Sequence, residues 1–247
     1  MKREYFAAII ILILLILSYS VLLIESPETA LRLSTEDRLI EYLSSIFFFL
    51  ASVILFYLFA VTKSEDKDFI FKSRRNYFIL LLGLFFFFCA GEEISWGQRI
   101  IGIDTPELMK DMNAQKELNI HNLFIFQATD SNNNIKTGLQ ELLTGHKIFA
   151  FIWITFCLLI PVLYRFSAQT NKLLTRISFP VIPLWLGILF LINHLISKVF
   201  ESIHLFPRLT PIIETKETDF ALLFLFVSII LYLQYRNNIS FATRART

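Results

Sequence analysis

Gly91-Glu92-Glu93-Ile94-Ser95-Trp96-Gly97-Gln98-Arg99 follows directly on Tyr77 to Ala90, fourteen residues that are almost wholly apolar. Two adjacent carboxylates at the end of such a run decide the fold: the run is a membrane span, and the glutamates sit near its far end. At about 1.5 Å rise per residue, Glu92 and Glu93 fall about 24 Å along the helix, just short of the roughly 30 Å depth of a hydrocarbon core. Ionisable groups at that depth are costly, which makes them functional candidates. Neighbours on a helix point about 100° apart, so the two carboxylates face different surroundings and do different jobs.

Working outward, the same apolar signature recurs. Of 247 residues, 55% are hydrophobic and 27 are Phe, and the mean hydropathy is +0.59, which gives several runs of span length and more apolar surface than one soluble core needs. The expected fold is all-α, a polytopic membrane helix bundle of about six transmembrane helices in one domain, with spans at about 5–24, 40–61, 77–96, 147–164, 178–200 and 219–235. The first run lacks a convincing cleavage site after Ser18-Tyr19-Ser20 and reads as an uncleaved span. Ser34-Thr35-Glu36-Asp37 reads as a cap for the second. Between the third and fourth spans lies the one sizeable extramembrane segment, about 97–146. There Thr105-Pro106-Glu107 is a helix start, with Thr as N-cap and Pro in the first position, for a helix running to about Leu118. Pro180 and Pro183 fit the opening turns of the fifth span, and Leu205 to Thr218 reads as a loop.

Charge sets orientation and excludes one class of partner. The N-terminus, the second and fourth loops and the tail hold roughly 13 Lys and Arg in about 44 residues, against roughly 10 in about 88 on the other side, so both termini are expected to be cytoplasmic. The net charge of +2 is too small and dispersed for nucleic-acid binding. Cys89 and Cys157 both sit in apolar runs, as buried inert thiols do. With this orientation Glu92, Glu93, Ser95, Gln98, Arg99, Glu117 and Lys198 fall at or near the outer face, together with all four histidines, His121, His146, His194 and His204.

Among these, His194 counts about 24 Å deep from Ser178 and matches the level of the glutamates. Glu201-Ser202-Ile203-His204 offers oxygen and nitrogen ligands at i and i+3, and Glu117 with His121 does so at i and i+4. With no thiolate at hand, a site of His121, His194, Glu201 and His204 suits Zn2+, or Fe or Mn, with an open position for an activated water. Glu92 or Glu93 then acts as general base, with Ser95 as a candidate nucleophile or ligand, and Gln98, Arg99 and Lys198 hold an anionic head group. The alternative is that the glutamates form structural ion pairs with Arg99 or Lys198.

The run from Gly91 to Arg99, followed by Thr105-Pro106-Glu107 and Glu117-Leu118-Asn119-Ile120-His121-Asn122, resembles the signature of a family of uncharacterised bacterial multi-pass membrane proteins. It covers residues 91 to 122, about an eighth of the chain, and implies the bacterial inner membrane but no activity. A weaker similarity is to the alkaline ceramidase and progestin-receptor-like membrane hydrolases, which arrange an acidic residue, a serine and histidines around zinc at one membrane face. It implies such parts for Glu92 or Glu93, Ser95, His194 and His204. Six expected spans instead of seven, and His194 and His204 ten residues apart, depart from that pattern.

Three classes of function follow, in order: a metal-dependent hydrolase or transferase acting on a membrane lipid or lipid-linked substrate, a binding or assembly protein whose buried charges join helices, and a transporter. Transport is placed last because the inner half of each span carries only scattered hydroxyls and the chain has no internal repeat.

Overall fold

A computed structural model describes residues 2–34, 39–62, 75–203 and 209–236; the side chains of residues 2–4 and of Arg99 lie outside that description. The chain is an all-α membrane bundle, and among the described residues five helices are long and apolar enough to cross a bilayer. They are α1 (Lys2–Ile24), α3 (Leu39–Val61), the composite helix Gly145–Phe166, α11 (Leu184–Ile203) and α12 (Leu209–Arg236). The run after Asn76 forms α4 (Tyr77–Glu93), a shorter sixth member packed along α3. Short helices α2 (Pro27–Ser34), α5 (Gln98–Ile101), α6 (Glu107–Met112), α7 (Leu139–Leu142) and α10 (Ala168–Arg176) connect them.

Successive long helices alternate in direction, so two ends of the bundle can be told apart by their cross-links. At one end Tyr235 donates to the Val61 carbonyl and Asn76 Nδ2 to the Ser178 carbonyl. Towards the other, Ser45 donates to the Ala90 carbonyl and Thr218 to that of Ile40. The core between is aromatic: the ring centroids of Phe86 on α4 and Phe190 on α11 each lie 4.8 Å from that of Phe224 on α12, and Trp153 lies 5.3 Å from Phe220. Large rings fill the space between helices and leave the rims to carry charge.

The composite helix consists of α8 (Gly145–Trp153), a π-helical stretch (Ile154–Leu159) and α9 (Ile160–Phe166). Pro161, in the first turn of α9, has no N–H for the carbonyl of Cys157 four residues back, and the helix widens there. Gly187 of α11 packs directly on that carbonyl; a Cβ at Gly187 would stand 1.9 Å from the Cys157 oxygen.

Three boundaries differ from the sequence expectation. α11 begins at Leu184, because Pro180 and Pro183 hold the preceding residues extended, so His194 is about 15 Å along its helix instead of 24 Å. α12 begins at Leu209 and absorbs most of the expected loop. Its Pro211 lies in the first turn, where a missing N–H costs nothing, and Ile212, Thr215 and Asp219 already form its buried face. α6 stops at Met112, because the Asn113 side chain turns to the loop that follows: its Oδ1 accepts from the backbone of Gln115 and its Nδ2 donates to Asn119. Thr105, expected as the N-cap of this helix, instead accepts a hydrogen bond from Gln98.

Candidate functional site

The site end of the bundle is built on the way α4 terminates. Ser95, Trp96 and Gly97 take φ values of 46°, 55° and 73°, three consecutive left-handed residues that turn the chain off the α4 axis. For the two non-glycine residues this costs about 1–2 kcal/mol each. The turn folds the Trp96 ring back over Gly91, where a Cβ would meet it at 2.7 Å, and Trp96 Nε1 donates to Glu92 Oε1 at 2.6 Å. Only glycine at 91 leaves room for that ring.

Glu92 is 4% exposed and its other oxygen is the anchor of a distant loop. Oε2 accepts from the backbone N–H groups of Ile120, at 2.6 Å, and His121, at 2.8 Å, and faces His121 Nδ1 at 3.3 Å. Ser95 extends the anchor: its hydroxyl donates to Glu117 and accepts from Asn119 Nδ2, while Gln98 Oε1 accepts from the Leu118 N–H. The stretch from Glu92 to Gln98 therefore holds residues 117–121 against the end of α4. Charge-assisted bonds of this kind are the strong ones, and they offset the strained turn. Burial works to lower the His121 pKa, but the Glu92 contact and the charges of Glu93 and Glu217 outweigh it and raise it above the ordinary value.

Glu93 turns the other way, into the bundle. It abuts Ser44 of α3 and lies within electrostatic reach of Glu217 on α12, His121 on the loop and Glu41 on α3. Glu214, one turn before Glu217, belongs to the same group, interacting with Glu217, Glu93 and Glu41. His146, at the start of α8, places Nδ1 3.4 Å from Glu217 Oε1. Four carboxylates and two histidines from α3, α4, α8, α12 and the 121 loop thus lie within electrostatic reach of one another at one end of the bundle, with His146 and Glu217 in contact. Carboxylates and imidazoles grouped at a membrane rim are the side chains that acid–base chemistry uses.

The candidates read from sequence separate into three groups. Glu93 and His121 join this cluster. Glu92, Ser95 and Gln98 form the anchor, with Ser95 buried and committed to Glu117. His194, Lys198 and Glu201 form a third group on α11: Glu201 accepts from Ser197 at 2.7 Å, pairs with Lys198 and lies 3.7 Å from Lys216 Nζ, while the His194 ring rests against Trp153 at 5.6 Å. His121 has the glutamates of α4 as neighbours and His194 has Lys198, Lys216 and Glu201, so these two expected zinc ligands occupy different groups. No three His, Cys, Asp or Glu side chains stand at metal-binding spacing among the described residues. His204 and the Arg99 side chain lie outside the described residues, as do Thr35, Glu36 and Asp37.

Glu41, Glu214 and Glu217 were not singled out in the sequence, and His146 only as an outer-face histidine. The signal was present in Glu214 and Glu217 at i and i+3 ahead of an apolar run, behind a Thr210-Pro211 helix start.

The fold and its polar end together define the class: a multi-pass helical membrane protein with an acidic and histidine-bearing group at one rim. Comparison with protein families, curated proteins and solved structures finds no match for this chain.

Proposed function

We propose that this protein is a hydrolase or transferase of the bacterial inner membrane, acting at the extracytoplasmic face on a lipid or lipid-linked substrate, with both termini in the cytoplasm. The observation that carries the reading is the convergence of Glu93, Glu217, Glu214 and Glu41 with His121 and His146, from five separate segments, at one rim of the bundle. Glu93 is the general base, and His121, whose pKa the Glu92 contact and the neighbouring glutamates raise, is the acid or the partner of developing negative charge. A substrate held in the bilayer reaches the rim by lateral diffusion between helices.

A divalent ion, zinc, iron or manganese, would supply an activated water. No three of Glu93, Glu217, His121 and His146 stand at metal-binding spacing, and His194 and His121 belong to different groups, so the acid–base reading rests on these side chains themselves. Lys198 and Lys216, paired with Glu201 nearby, supply positive charge for an anionic head group.

The test is metal content by plasma mass spectrometry on detergent-purified protein, with Glu93→Gln and His146→Ala beside it, followed by a lipid-hydrolysis screen. Near-stoichiometric metal lost in both variants, with turnover lost in Glu93→Gln, supports the reading. Metal-free folded protein that turns over lipid in a Glu93-dependent way supports acid–base chemistry alone. If no turnover appears with any lipid class and Glu93→Gln alters nothing, the assembly reading takes over. The full pairing of Glu92 and Glu201 with neighbouring groups favours that reading for those two residues.

A further inference from the structure

The segment that leaves α4 carries apolar side chains that no described part of the protein covers. Ile100 and Ile101 are each 67% exposed and Leu108 is 72% exposed, with Ile103 and Met112 also exposed. In α6, Leu108 and Met112 stand at i and i+4 on one face, and Glu107 and Lys110 lie away from it, where Lys110 pairs with Glu107 at 2.8 Å.

What covers them is indicated by the helix they extend. α4 has 17 residues, about 25 Å, some 5 Å short of a hydrocarbon core. The left-handed turn does not send the chain straight on. It lays the Trp96 ring against Phe87 and Phe88, at 6.2 and 5.9 Å, on the outward face of α4, where both phenylalanines are exposed. The chain therefore leaves α4 sideways, along the surface that faces acyl chains, with an aromatic ring whose N–H is already satisfied by Glu92. Ile100, Ile101 and Ile103 follow within a few residues.

We propose that residues 96–112 are an interfacial limb seated in the bilayer: the apolar faces of α5 and α6 lie in the acyl-chain boundary and the Glu107–Lys110 face lies in the head groups, as for amphipathic helices lying in the plane of a membrane. The occupant of this surface is lipid. The limb continues from the short end of α4 along the interface and borders the rim that carries Glu93.

The test uses single cysteines at Ile101 and Leu108, each carrying an environment-sensitive fluorophore, in a Cys89→Ala background with Cys157 left in the core. The full-length protein is reconstituted into vesicles of phosphatidylglycerol and phosphatidylcholine brominated on its acyl chains; Ser131→Cys, in the polar turn Asp130–Asn134, is the aqueous reference. Loss of fluorescence to the brominated chains at Ile101→Cys and Leu108→Cys, with protection from aqueous iodide relative to Ser131→Cys, is the expected result. Iodide quenching equal to that of Ser131→Cys at both positions overturns the proposal, because the faces are then in water. Protection from both quenchers also overturns it, because the faces are then covered by protein.

Discussion

Glu92 uses both carboxylate oxygens on donors from Trp96, Ile120 and His121, whereas Glu93, the next residue, faces carboxylates on α3 and α12. The same side chain, one position on, does opposite work because helical neighbours point about 100° apart. On one side a buried charge is satisfied by N–H groups and fixes a loop. On the other, like charges lie within electrostatic reach of one another, an arrangement that stabilises nothing by itself. On the proposed function, the pair separates stability from chemistry within a single dipeptide.

That separation can be broken in several ways. Glu93→Gln removes the proposed acid–base group and keeps the shape. Turnover is expected to fall about 100-fold or more, measured on whichever lipid the screen identifies, with the loop anchor intact. Glu92→Gln is expected to cost about 2 kcal/mol of stability, the range of a charge-assisted hydrogen bond to a buried acceptor. Hydrogen exchange of the backbone over residues 113–123 should accelerate in that variant. Gly91→Ala pushes on the Trp96 ring and should cost about 1 kcal/mol by overpacking, with a shift in tryptophan emission.

The smallest effect is the pH dependence of the anchor. His121 has a raised pKa in the folded protein, so its contribution is complete below the unfolded value of about 6.5 and is lost as pH rises through the folded value. With its side chain 48% exposed and screened by solvent, the change should stay under about 1 kcal/mol. Loop exchange rates compared across that range in wild type and Glu92→Gln measure it; the dependence should be weaker in the variant.

The spans were legible in the sequence because a bilayer demands long apolar runs, and the different fates of Glu92 and Glu93 followed from helical geometry alone. The cluster around Glu93 was not, for a physical reason. Glu214 and Glu217 lie in a polar stretch with Pro211 that reads as a loop, and it is the buried stripe of Ile212, Thr215 and Asp219 that winds it into α12. His194 drew attention as a deep histidine, yet its neighbour Asn193 is the fully buried polar group, accepting from Tyr19 at 2.9 Å and donating to the Lys216 carbonyl at 3.0 Å. Ser95 looked like a candidate nucleophile because its partner, Glu117, is 22 residues away. Contacts of that span are set by the left-handed turn, which no local pattern announces.

The most direct measurement is the thermal unfolding midpoint of Glu92→Gln and Glu93→Gln, side by side in the same detergent. The division of labour predicts a clear drop for Glu92→Gln and an unchanged or higher midpoint for Glu93→Gln, since neutralising one of several facing carboxylates relieves repulsion. An equal drop in both would contradict it and make the two glutamates a single structural unit.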